Sequence, residues 1–245
     1  MTPEQEQAIA DLRSRHVAPK QIARQLGLRP AEVTAFLKAQ AEQATTSRLA
    51  AGELPPIFQC LVNKSCLPTL TGTALPPAAE TADEITAQTD DMDPSNGFAI
   101  VTVSRQVGFN RIELGTYLVD IWCLGVKDAV ELRTVDPTRY RDFVDYAYAK
   151  FPDGYTEISL EMAQAIVFGA EQYAAELGFQ PHRDFAKTRS HLGTWSGEPQ
   201  LHFGRDGKPF YRSGPYDNPA KILKTLQETV GEGNFDYLVG NDDPW

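Results

Sequence analysis

Residues 19–38, PKQIARQLGLRPAEVTAFLK, constrain the fold of this chain more than any other stretch, because apolar side chains recur at helical spacing on both sides of one glycine. Ile22, Ala23 and Leu26 form the inner stripe of a short helix. Gly27 supplies a turn whose left-handed backbone is cheap only for glycine. Leu28, Val33, Phe36 and Leu37 form the inner stripe of a second helix, with Pro30 in its first turn, where a missing N–H costs nothing. The small side chain of Ala23 lets the two helices cross closely. Upstream, Thr2-Pro3 followed by EQEQAIADLRSRH predicts another helix, with Ile9 and Leu12 inward and acids in the first turn, where the helix dipole favours them. The expected product is a three-helix unit ending near Ala44, in a module of residues 1–48. Such a unit is small for independent stability and calls for a neighbour or a second copy to lean on.

This succession resembles the helix-turn-helix modules of resolvases and many bacterial regulators. The resemblance implies double-stranded DNA as a partner, with the second helix in the major groove. Arg29, Thr34 and Lys38 then face the DNA, and Lys20 and Arg24 lie near phosphates. A three-helix bundle used for protein contacts or dimerisation carries the same pattern, and Glu32 and the alanines of the second helix weaken base readout. Charge supports only this end of the chain as a DNA-binding surface. Residues 1–48 hold seven Lys/Arg against five acids, whereas the remainder holds 16 against 28 and accounts for the overall −10. A nucleic-acid backbone is repelled by most of that surface.

No stretch approaches the apolar length of a membrane span. The polar, acidic start MTPEQEQAIADLRSRH does not have the basic-then-apolar pattern of a secretion signal. The three cysteines, Cys60, Cys66 and Cys123, suit a reducing cytoplasm better than a disulfide framework, so the expected location is cytoplasmic.

From Leu54 onward the pattern predicts a larger α+β domain, residues 55–245, built on antiparallel strands. PPIFQCLVN reads as a short strand. Residues 67–97, poor in large apolar groups and rich in Pro, Thr and acids, read as a flexible acidic loop or linker. Phe98 to Gln106 and Ile112 to Trp122 read as two strands joined by a turn at Gly108 and Asn110. Asp136-Pro137 opens a helix through Phe151, and Ser159 caps another that runs to about Leu177 and stops at Gly178. Leu201–Phe203 and Phe210–Arg212 flank a hairpin turn at Arg205-Asp206-Gly207-Lys208. Asn218-Pro219 caps a last helix, and Phe235 to Val239 reads as a closing strand.

Several residues carry candidate chemistry. Asp120 lies inside the apolar run YLVDIWCLGVKDAVEL, where an ionised carboxylate is costly unless paired. A buried acid there can be catalytic or bind metal; it more often caps a turn or pairs with a base such as Arg105 or Arg111. Cys123 with His182 and Asp184 could supply a nucleophile, a base and an orienting acid, but no N-cap signal lowers the thiol pKa, which favours an inert buried cysteine. Asp128 completes the catalytic candidates. His182-Arg183-Asp184 starts like a kinase catalytic loop, but Arg189 stands where an asparagine is required, so a helix start after Pro181 is the simpler reading. Cysteine and histidine spacing supports no metal site, and the phosphate-cradling glycine patterns are absent, so no metal and no cofactor are expected. In FGRDGKPFYRSGPYDNP, Arg205, Lys208 and Arg212 lie among Phe210, Tyr211 and Tyr216; they could stack on bases or bind phosphate, although turn chemistry accounts for each Gly and Pro.

Taken together, PIFQCLVN, the VSR strand, TYLVDIWCLGVKDA, LGFQPH and FGRDGKPFYRSGPYDNPAKIL are similar to a family of bacterial hypothetical proteins, over residues 55–240. That similarity brings no activity. It implies that 55–66 belong to the large domain, that 67–97 are a flexible acidic loop inserted between its first two strands, and that the helix-turn-helix is an added module. The expected function is DNA binding by a regulator or accessory factor, with the acidic domain sensing, pairing two copies as a homodimer or recruiting, and with no small-molecule effector identified. The alternatives are a hydrolase or nuclease using Asp120, Asp128 and His182, or a protein-interaction scaffold.

Overall fold

The computed structural model describes residues 1–15, 17–73 and 97–239. Its first three helices are α1 (Pro3–Ser14), α2 (Pro19–Leu26) and α3 (Pro30–Ala50). A reciprocal cap starts α1: the Gln5 N–H donates to Thr2 Oγ1 at 3.3 Å, and the Thr2 N–H donates to Gln5 Oε1 at 2.9 Å. Gly27 ends α2 at φ 66°, ψ 26°, and the Leu28 N–H closes onto the Ala23 carbonyl at 2.9 Å. Glu32 reaches back to the start of α3, its Oε2 accepting the Arg29 N–H at 3.2 Å. Ile9, Ile22, Ala23, Val33 and Leu37 form the buried centre, with Leu12, Leu26, Leu28 and Phe36 around it. The third helix continues to Ala50, six residues past the expected end near Ala44 and just beyond a module boundary at 48, because no Gly or Pro intervenes before Gly52.

The rest is α+β. An antiparallel sheet contains β1 (Ile57–Asn63), β2 (Phe98–Gly108), β3 (Arg111–Asp120), β4 (Gly125–Val135) and β5 (Tyr155–Glu157), in the order β4-β3-β2-β1-β5. Period-2 alternation gives it two apolar faces. On one face, Leu61, Ile112 and Leu114 pack against Tyr140, Val144 and Tyr148 of α5 (Pro137–Tyr148). On the other, Cys60, Val62, Val101, Val103, Tyr117 and Val119 form the main core with α6 (Leu160–Glu176) and α7 (Phe185–Leu192). Helix α5 stops at Tyr148 rather than Phe151, and Asp136 caps it by accepting the N–H groups of Thr138 and Arg139. Ser159 caps α6, accepting the Met162 N–H at 3.2 Å.

Three further features differ from the sequence reading. Within residues 67–97, the part Leu67–Leu70 is a helical turn, α4, with Leu70 buried, because Leu67 and Leu70 find apolar partners at the core's edge. Residues 74–96, which hold the acids of the expected loop, lie outside the described residues. The run 117–132 is two strands, since β3 ends at Asp120, residues 121–124 turn, and β4 begins at Gly125. Two register irregularities, near Lys127 and Glu131, break the β4 alternation that would have marked it as a strand.

The third difference concerns the C-terminal hairpin. The turn Arg205–Lys208 closes with an antiparallel bridge, but Leu201–Phe203 form no strand. Instead β6 (Phe210–Arg212) pairs in parallel with β7 (Asp236–Leu238), with α8 (Pro219–Thr229) between them in sequence. Tyr211 and Leu226 are buried here together with Cys123 and Leu177.

Candidate functional site

Burial of the inner stripes of α2 and α3 turns their polar positions outward. Lys20, Arg24, Arg29, Thr34 and Lys38 are all exposed. Thr34 and Lys38, four residues apart, share one face of α3, and Arg29 stands at its start. Lys38 pairs with Glu42 at 3.9 Å, both side chains remaining about two-thirds in solvent at 62% and 65%, so the pair is weak and leaves the ammonium accessible. The position of Glu32 has a structural reason, since its carboxylate holds the Arg29 N–H just ahead of α3. Of the α+β domain, Phe109 in the β2–β3 turn packs against this helical cluster.

The four candidates of the α+β domain divide into two pairs. Asp120 is buried at 4% exposure, and its Oδ1 accepts the N–H groups of Trp122 and Cys123, each at 3.0 Å. It therefore caps the β3–β4 turn, with backbone amides as its partners rather than Arg105 or Arg111. Burial pushes its carboxyl up to about 6, against the pull of those amides and of Lys127. Arg105 instead donates to the carbonyls of His191 (2.8 Å) and Pro55 (2.7 Å). Cys123 is buried among Leu177, Tyr211 and Leu226, and burial, with the Asp120 charge beside it, raises its thiol far above the ordinary value. A thiol held protonated is a poor nucleophile.

Asp128 and His182 are the accessible pair. Asp128 Oδ1 lies 3.6 Å from His182 Nδ1, and Asp184 Oδ2 lies 3.7 Å from the same nitrogen. The Asp184 N–H also points at Nδ1, at 3.4 Å. His182 is held by its own N–H, which donates to the Val126 carbonyl of β4 at 2.9 Å. Asp184 precedes α7 and pairs with Lys187 at 2.7 Å, as expected of an acid at a helix start.

Asp128 and His182 line a cavity of about 850 Å³ whose floor includes Phe98 and Leu118 and whose far wall is the segment Arg212–Asp217. By the two-residue repeat, Phe98 and Leu118 share the sheet face of Ile100, Ile112 and Leu114. The α5 cluster reaches Ile100 and stops, so among the described residues α5 leaves the end of that face beyond it uncovered. Lys127 crosses the cavity wall to Asp217, with Nζ at 3.0 and 2.9 Å from the two carboxylate oxygens. Asp217 also accepts the Gly214 N–H at 2.8 Å. Sequence reasoning passed over Lys127, Asp217 and Phe98 as site residues, because 90 positions separate the first two and only the packing of β6 beside the sheet end brings them together. The aromatic and cationic block noted at 203–219 is split: Arg205 stacks on Phe210, 4.9 Å from its ring centre, whereas Arg212 lies over Phe98 at 5.8 Å.

Among the described residues no group of three or more His, Cys, Asp or Glu side chains is placed to hold a metal ion, and no helix is long and apolar enough to cross a membrane. Comparison with protein-family models, curated proteins and solved structures finds no match.

Proposed function

We propose that the chain binds double-stranded DNA through its N-terminal helices, as a helix-turn-helix regulator or accessory factor. Helix α3 enters the major groove with Arg29, Thr34 and Lys38 towards the DNA, while Lys20 and Arg24 meet phosphates. One observation carries this reading. The glycine-turned pair α2–α3 buries Ile22, Ala23, Val33 and Leu37, half-buries Leu26, Leu28 and Phe36 against them, and leaves these five polar side chains in solvent. A bundle that used this face for apolar protein contacts would present large hydrophobic groups there, and it presents Thr34, Ala35 and Lys38.

The acidic remainder repels DNA and orients the encounter, since the cationic excess lies at one end. A single module makes few phosphate contacts, so useful affinity calls for two copies on half-sites about one helical turn apart. The catalytic reading has less support: of Asp120, Cys123, Asp128 and His182, the first two are enclosed, and the accessible Asp128 and His182 face each other at 3.6 Å, with Asp184 on the same ring nitrogen.

The test is a mobility-shift titration of a random-sequence duplex with the full chain at several salt concentrations. The Arg29→Ala/Lys38→Ala variant is expected to lose tenfold or more in affinity and to flatten the log K against log salt slope by about two. Unchanged binding by that variant overturns the proposal.

A further inference from the structure

The cavity between the open sheet end and residues 212–217 has the makings of a ligand site independent of the DNA-binding reading. Its charges can be followed one by one. The Lys127 ammonium is taken up by Asp217 through two short contacts. Asp128 holds its own chain's Ala129 N–H at 2.8 Å and faces His182, which also faces Asp184. Arg212 is left over. Its guanidinium lies over the Phe98 ring, and among the described residues it has no carboxylate partner. Lys127 lies over the same ring, Nζ 5.9 Å from its centre, so two cations share one floor and, among the described residues, a carboxylate meets only Lys127. A half-buried guanidinium without an anion is an attractive point for one, and its planar fork matches a carboxylate or phosphate through two parallel hydrogen bonds.

The second element is Tyr216, whose side chain is 99% exposed on the cavity rim. Its segment is not loose. Asp217, the next residue, is fixed by Lys127, by the Gly214 N–H and by the Tyr211 hydroxyl at 3.4 Å, and Ser213 donates its N–H to Leu238 at 3.0 Å. An aromatic ring held in solvent on a pinned segment offers stacking area with little ordering left to lose on binding. A second cavity, of about 630 Å³, lies across the Lys127–Asp217 pair and is also bordered by Tyr216, so the ring stands on a ridge between two hollows. The first cavity alone, at about 850 Å³, has room for a ligand of mononucleotide size.

We propose that this cavity binds a small organic oxyanion bearing a flat ring, the carboxylate or phosphate on Arg212 and the ring against Tyr216. The Phe98 face is already occupied by the two cations, so the ring is directed to Tyr216 and the oxyanion to the Phe98 end. Lys127 and Asp217 act as the brace that sets the distance between the two.

The full chain is titrated by calorimetry with benzoate and with adenosine monophosphate, against benzamide and adenosine as uncharged counterparts. At least one anion is expected to bind in the micromolar to low millimolar range, with its uncharged counterpart tenfold weaker or more. Arg212→Ala is expected to weaken the anion at least tenfold, and Arg212→Lys by less. Tyr216→Ala removes a side chain that touches nothing in the fold, so it leaves folding intact; it is expected to weaken the aromatic anions severalfold while leaving the response to added chloride unchanged. Benzoate against adenosine monophosphate separates a carboxylate from a phosphate ligand. Failure of both anions to bind at 10 mM, equal binding of the uncharged counterparts, or full affinity in Tyr216→Ala overturns the proposal, whatever the outcome with DNA.

Discussion

At the β3–β4 turn the Asp120 carboxylate is shut away from solvent, with two backbone N–H groups aimed at one of its oxygens. Burial raises its pKa from 3.8 to about 6, so the folded chain holds this proton more tightly than the unfolded chain does. Stability from this group is therefore greatest below the unfolded value and falls as the pH rises to about 6, by up to about 3 kcal/mol. Asp120→Asn keeps a carbonyl oxygen for the two amides and cannot ionise. Urea unfolding across pH 4–7 is expected to show wild type losing ground to the Asn variant between pH 4 and 6 and running parallel to it above. Parallel profiles throughout would mean that the carboxyl titrates normally. Asp120→Ala is expected to cost about 1–3 kcal/mol at pH 7, because both amides lose their acceptor.

Two glycines in left-handed backbone separate what a turn needs from what packing needs. At Gly27, φ is +66° and an added Cβ meets nothing within 4 Å; at Gly125, φ is +67° and the Cβ stands 2.7 Å from the Ala170 carbonyl oxygen and from Ala174 Cβ. Gly27→Ala pays only for the backbone, about 1 kcal/mol. Gly125→Ala must in addition push α6 away from the start of β4, and about 2–4 kcal/mol is expected in all. Thermal melting followed by circular dichroism checks the order. A Gly125 variant as stable as the Gly27 variant would show that α6 yields freely. The long edge strand β4 is itself blunted, since its two register irregularities and the charged Glu131 and Arg133 make it a poor template for another strand.

The three-helix unit was expected to need a neighbour, and Phe109 at the tip of the β2–β3 turn packs against its cluster. The segment leading from α3 to the sheet is tied down as well: Arg105 holds the Pro55 carbonyl, and the Gln106 N–H donates to the Pro56 carbonyl at 2.9 Å. Phe109→Ala is expected to free the helical unit while sparing the sheet. Limited proteolysis should then cut between Ala51 and Pro55 several times faster, with the main melting transition moved by no more than a few degrees. Equal cleavage rates would mean that the backbone ties alone hold the unit in place.

Local rules reached far in this chain. The inner stripes of α2 and α3, the glycine between them, the caps at Thr2, Asp136, Ser159 and Asn218, and the paired strands β2 and β3 were all legible, because each depends on spacing within about twenty neighbouring residues. So was the α+β class. The two faults in β4 hid that strand, since they break the alternation that is a half-buried strand's main local mark. The parallel partner of Phe210–Arg212 was equally out of reach, as the pairing spans 26 positions and nothing near Arg212 names Leu238. The cavity belongs to this second kind. Phe98, Lys127, His182 and the pair Arg212 and Tyr216 sit on four separate segments, and their meeting follows from how β6 and the turn after it dock at the sheet end that α5 leaves bare. Neighbour-to-neighbour chemistry is written along the chain; which distant side chains share a space is an outcome of packing the whole, and no short window contains it.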